Sequence, residues 1–285
     1  MALLHAAAAG ALEVVKTLIE QKANLEDHDE AGWTPLTAAA VAGHTETLSV
    51  LIDAKANIDP RVDLNYTPLL LAALEGRLAC VQLLLTAKAD IKATNAAGQT
   101  ALMLAAIHNH VNCVQQLFDV NADINAKGMQ GQTALMMASR KGRHESVQLL
   151  IQLNADINAM DNEGSTALSI ATAYDHVACI GTLIDANANI EARDNDDSSV
   201  VMIAAAYRSA NCMRCFLERS VDIHATNNTG LNLLMIAAAR LPATEVQLII
   251  DLVITLDDGG KQQEGPPDEA DSDAPSQPRI KRMRR

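Results

Sequence analysis

The sequence predicts an all-α solenoid, a row of short helix pairs stacked side by side, and three observations carry that prediction. Aromatic residues are only 2% of the 285 positions while hydrophobic residues are 49%. The core must therefore be built of Ala, Leu, Ile, Val and Met, which suits thin layers of closely packed helices and not a deep core anchored on large rings. A threonine recurs every 33 residues, at Thr34, Thr67, Thr100, Thr133 and Thr166, and Ser199 and Asn232 continue the series. Between these markers lie apolar stripes at helical spacing, such as Val81, Leu84 and Leu85, or Val147, Leu150 and Ile151. Length alone would allow two ordinary domains; the period replaces them with one elongated array, a partial first repeat and seven more, over residues 1–255.

Each element of the repeat has a physical reason. The hydroxyl of the Thr column is an N-cap acceptor, and Pro35 and Pro68 follow it at the first helical position, where a missing N–H costs nothing. Two residues on comes Leu36, Leu69, Leu102, Leu135, Leu168, Val201 and Leu234; five on comes an Ala in every repeat, which lets neighbouring helices approach closely. The helices are too short to be stable alone, so stability must come from stacking. Two positions before the Thr column stand Gly32, Asn65, Gly98, Gly131, Gly164, Asp197 and Gly230, residue types that accept positive φ, and a projecting turn is expected at each.

Aligned, the repeats read TPLTAAAVAGHTETLSVLIDAKANID, TPLLLAALEGRLACVQLLLTAKADIK and TALMLAAIHNHVNCVQQLFDVNADIN, with two more of the same form. These residues resemble the ankyrin repeat, with its Thr-Pro-Leu-His opening, Ala pair, Gly-His turn and Val-x-x-Leu-Leu second helix. The resemblance implies turns arrayed as fingers beside a concave groove, and a module that binds protein partners. The sequence departs from the pattern in three places. After the second helix, where the family has Gly, stand Lys22, Lys55, Lys88, Asn121, Asn154, Asn187 and Ser220; Lys there should cost on the order of 1 kcal/mol relative to Gly. The family's His is Thr37, Leu70, Met103, Met136, Ser169, Met202 or Met235, so its hydrogen bond is expected to be mostly lost. Repeats 7 and 8 drift furthest, as a capping end does.

The residues that could carry chemistry point away from catalysis. Cys80, Cys113, Cys179 and Cys212 share one column with Thr47 and Ser146, which reads as packing of a small residue, and Cys212-x-x-Cys215 is a lone pair without a second ligand pair. His44, His110 and His176 occupy the turn column, alternating with Arg77 and Arg143. No nucleophile with a partnered base and no phosphate-cradling Gly-rich loop is present. The chain is read as a non-enzyme that needs no cofactor and no metal.

The candidate binding residues come from the variable columns. Trp33 and Tyr66, with Gln99 and Gln132, sit at finger tips. Glu75, His108, Lys141, Tyr174, Tyr207 and Arg240 occupy the end of the first helix, flanked by Leu74, Ile107 and Arg140. Trp and Tyr are favoured at binding hot spots, and in ankyrin proteins these columns contact partners. Both Phe residues, Phe118 and Phe216, are expected in the core. The segments ending Asn125-Ala126 and Asn158-Ala159 are similar to those that asparagine hydroxylases accept in ankyrin domains, although an Asn that ties down the loop accounts for the same residues.

From Leu256 the period ends, half of the chain's prolines fall here, and disorder is expected. The tail is acidic and then basic, and Lys281, Arg282, Arg284 and Arg285 fit a short nuclear import signal that an import receptor would bind. The net charge is −13, so nucleic acid is not the expected main partner. No stretch is long and apolar enough to span a membrane, and no secretory signal opens the chain; a cytoplasmic or nuclear protein is expected. The leading function is an adaptor or regulator that holds a protein along its concave face. The alternatives are a targeting fragment of a larger enzyme or effector whose catalytic domain lies upstream of Met1, and a nuclear protein that meets DNA through its basic tail.

Overall fold

The computed structural model describes residues 1–217, 219, 221–247, 249–251 and 254. Among these residues there are no strands, only isolated bridges at the necks of three fingers, and helices come in pairs with the predicted period. The first helices are α1 (Ala2–Ala8), α3 (Pro35–Ala42), α5 (Pro68–Leu74), α7 (Ala101–Ile107), α9 (Ala134–Arg140), α11 (Ala167–Ala173), α13 (Val200–Ala206) and α15 (Leu233–Arg240). The second helices are α2 (Leu12–Glu20), α4 (Thr45–Asp53), α6 (Leu78–Thr86), α8 (Val111–Asp119), α10 (His144–Gln152), α12 (Val177–Asp185) and α14 (Ala210–Leu217).

Small residues set the geometry of the stack. Ala39, Ala72, Ala105, Ala138, Ala171 and Ala204 are fully buried, and first helices pack against one another more closely than second helices do. The array therefore bends with its first helices on the inside. Leu51, Leu84, Leu117, Leu150, Leu183 and Phe216 form the buried row of the second helices. Phe118 lies one position beyond that row and is only half-buried, a correction to the expectation that both Phe residues are core.

Local chemistry fixes each element. Thr34, Thr67, Thr100, Thr133 and Thr166 accept the N–H of the residue three ahead, and Asn232 replaces them for α15. Ser199 makes no such bond; its hydroxyl is buried without a partner. The hydrogen bond expected to be lost at the family's His column survives in part. Thr34 N donates to Thr37 Oγ1 (2.7 Å) and Thr166 N to Ser169 Oγ (2.9 Å), while Met103 and Met136 offer sulfur to Thr100 N and Thr133 N at 3.5 Å. After the second helices, Lys22, Lys55 and Lys88 take φ of 61°, 72° and 65°, and Asn121, Asn154 and Asn187 take 64°, 62° and 63°. The same left-handed stop is thus imposed whatever the residue. Ser220 lies outside the described residues.

Candidate protein-binding face

The fingers are closed by side chains that the sequence pattern did not mark. Five positions before the Thr column, Asp29, Asn95, Asp161, Asp194 and Asn227 each accept two backbone N–H bonds within their own finger, as Asp161 does from Glu163 (3.0 Å) and Ser165 (2.8 Å). All seven predicted turn residues have positive φ, from 59° at Asp197 to 81° at Gly32. Neighbouring fingers are tied tip to tip by backbone bonds, among them Asn162 N to the Gln130 carbonyl and Asn195 N to the Glu163 carbonyl, both 3.0 Å. The row is a continuous shelf and not a set of independent loops.

Beside the shelf runs the end of each first helix. Glu75, His108, Lys141, Tyr174 and Tyr207 are the capping residues of α5, α7, α9, α11 and α13, and all five are exposed. Tyr174 is 55% and Tyr207 65% exposed; Tyr174 stacks parallel on His176 with ring centres 6.3 Å apart. His108 stacks likewise on His110 at 6.1 Å, and burial, with the nearby His110 second, lowers the pKa of His108. Leu74, Ile107 and Arg140 are half-buried one position earlier, and the Nε of Arg140 is buried without a hydrogen-bond partner. Tyr174, Tyr207 and Arg140 line one groove of about 440 Å³, together with the fingers 162–165 and 194–196.

The remaining predicted contacts divide. Trp33 and Tyr66 are half-buried, and Tyr66 packs against the core. Gln99 is held by Asn95 Nδ2 (2.8 Å) and reaches the sulfur of Met137 at 3.9 Å. Gln132 is only 5% exposed, so it presents no side chain to a partner, and this corrects the sequence reading. Two apolar tips escaped that reading, Leu64 and Met129, each 72% exposed. Their signal was an apolar residue one or two positions before the positive-φ turn residue.

The residues weighed for chemistry are committed to structure. Cys80, Cys113, Cys179 and Cys212 are free and buried, and burial pushes the Cys113 and Cys179 thiols up to about 11. The Cys212 thiol donates to Asp175 Oδ1 at 2.9 Å, and burial followed by this bond raises its pKa. His44, His110 and His176 reach back one repeat to the last carbonyl of the preceding first helix, at 3.1, 3.0 and 3.1 Å; Arg143 does the same through Nε, and Arg77 Nε donates to the Val41 carbonyl, one residue before the end of α3. Asn125 and Asn158 accept through Oδ1 from the N–H of Asp156 (2.9 Å) and Asn189 (2.8 Å) in the following repeat. Among the described residues no three His, Cys, Asp or Glu side chains converge as metal ligands, and no helix is long and apolar enough to cross a membrane. Lys281, Arg282, Arg284 and Arg285 lie outside the described residues.

A family model described as ankyrin repeats matches the chain in three copies, over residues 3–95, 58–128 and 126–194. The chain belongs to the ankyrin repeat family. The ankyrin repeat domain of human ASB11 is similar in structure, with a TM-score of 0.65 and 26% identity over 72% of this chain and 91% of that one. So is the ankyrin repeat domain of Bcl-3, described as a unique member of the IkappaB protein family, with a TM-score of 0.66 and 26% identity over 75% of this chain and 98% of that one. No curated protein matches the ankyrin array significantly in sequence. Ankyrin arrays are protein-interaction modules, in which variable side chains on a constant frame meet the partner. In this array helix pairs continue beyond the matched residues to Arg240.

Proposed function

We propose that residues 1–255 form a non-catalytic adaptor or regulator that holds a protein partner along the finger shelf and the ends of the first helices. The observation that carries this reading is the pair Tyr174 and Tyr207, two large amphipathic side chains left 55% and 65% exposed on adjacent repeats beside one groove. A folded chain gains by covering such surface, and Tyr is enriched among residues whose truncation costs binding most. The column thiols are buried, and Cys212, the turn imidazoles and the loop amides of Asn125 and Asn158 are engaged in bonds across repeats, which supports a structural and not a catalytic role for them. The basic run Lys281–Arg285 supports nuclear entry, tested by whether a reporter carrying residues 256–285 leaves the cytoplasm.

The test of the binding face is capture of partners from cell extract by the whole chain and by Y174A/Y207A. The double variant should keep its helical circular dichroism and melting temperature while its captured proteins fall at least about 10-fold, the scale of a hot-spot residue. Equal capture by both proteins would remove this face as the binding surface.

A further inference from the structure

Two adjacent fingers hold most of the shelf's carboxylates. Residues 161–165 and 194–198 carry five carboxylates, Asp161, Glu163, Asp194, Asp196 and Asp197; the fingers at 29–33 and 62–66 carry three, Asp29, Glu30 and Asp63, and those at 95–99, 128–132 and 227–231 carry none. Asp161 and Asp194 spend an oxygen on finger N–H groups, and Asp197 meets Arg193 at 3.4 Å. Glu163 and Asp196 are exposed, and neither is in a salt bridge among the described residues. The same two repeats carry the two exposed tyrosines, so acidic tips and aromatic faces line one groove, with Ile170, Ala173 and Ile203 on its floor. That combination suits a short segment bearing guanidinium groups, which stack on aromatic rings and pair with carboxylates.

The chain itself supplies such a segment. Arg279–Arg285 reads RIKRMRR, four arginines and a lysine with Ile280 and Met283 between them. This segment lies outside the described residues. The 24 residues between Ile254 and Arg279 can span up to about 80 Å when extended. Ile254 follows the first helix of repeat 8, and the groove belongs to repeats 5 to 7, each about 10 Å from the next, so reach does not limit the contact. The array carries about −12 of the −13 net charge, since the seven acids and six bases after residue 255 nearly cancel; attraction of the basic end to the array is therefore built into the sequence. We propose that Arg279–Arg285 dock in this groove, their guanidinium groups on Tyr174 and Tyr207 and paired with Glu163 and Asp196. This rests on the reading of the groove as a binding face and names its resident occupant, which a partner or an import receptor must displace.

The chain has only three tyrosines, so the full-length protein grown with fluorotyrosine gives three fluorine resonances, assigned by single Tyr→Phe variants. In R279Q/K281Q/R282Q/R284Q/R285Q, the Tyr174 and Tyr207 resonances should move while Tyr66, several repeats away, stays in place. E163Q/D196N with the native tail should shift the same two signals toward the same positions. If neither resonance moves in the tail variant, the proposal fails. If the shifts change on tenfold dilution, the segment docks on a second copy and the intramolecular contact is wrong. Still resonances combined with lost partner capture in Y174A/Y207A would remove the tail and leave the binding face standing; moving resonances with unchanged capture would do the reverse.

Discussion

His176 reaches from repeat 6 into repeat 5, its Nε2 3.1 Å from the carbonyl oxygen of Arg140. The ring lies over Gly142, where an added Cβ would come within 2.7 Å of Nδ1. The same partnership holds Gly10 under His44 and Gly76 under His110. Where this position is Asn109 or Asp175, the side chain instead accepts from the next repeat's second helix, at Ser146 N (3.1 Å) and Cys212 N (3.4 Å). Stacking is thus secured by two hydrogen-bond devices, which coexist where Arg143 bonds the Ile107 carbonyl beside Asn109, and each of the three imidazoles passes over a glycine.

That difference gives a paired prediction. Gly142 and Gly230 both have positive φ, 64° and 75°, but nothing lies within 4 Å of a Cβ at Gly230. Gly230→Ala should cost about 1 kcal/mol, the conformational penalty alone. Gly142→Ala should cost about 2 to 4 kcal/mol, because His176 must also move and surrender its bond. Urea unfolding of the two variants measures the gap; equal losses would mean the ring yields freely.

The lysines at the left-handed stops are a second place to look. Lys55 sits at φ 72°, and the bond from Ala56 N to the Leu51 carbonyl (3.1 Å) holds it there. Lys55→Gly should stabilise the array by about 1 kcal/mol and Asn121→Gly by less, since Asn already tolerates this conformation. Thermal melts of both variants test the ordering.

Caps separate two residues of one column. Thr133 accepts from Met136 N (3.4 Å), whereas the Ser199 hydroxyl is buried without a partner. Thr133→Ala should cost about 1 kcal/mol. Ser199→Ala should be neutral or stabilising, because it removes an unpaid desolvation. A loss at Ser199 equal to that at Thr133 would contradict the geometry.

The thiols give a pH prediction. Folding buries Cys113 and Cys179 and raises them from 9 to about 11, so about one in a thousand of each is thiolate at pH 8. Only half-exposed Cys215 should react promptly with a thiol reagent at that pH, the column cysteines reacting after unfolding. Because the unfolded thiols ionise first, their neutral burial favours the fold below pH 9 and is lost progressively as pH rises toward 11.

The sequence by itself determined the repeat, its helix caps, its positive-φ turns and the column that ends each first helix. These depend on residues within about four positions of one another, and a 33-residue period displays them again and again. Only the tertiary structure decided that Gln132 is covered while Met129 is bare, that His176 caps the helix of another repeat, and that Tyr174 and Tyr207 meet the acidic fingers at one groove. The His176–Arg140 bond joins residues 36 positions apart, and such contacts between repeats follow from the offset at which each repeat slides over the last. Packing of the alanine rows sets that offset, and no spacing within a single repeat encodes it.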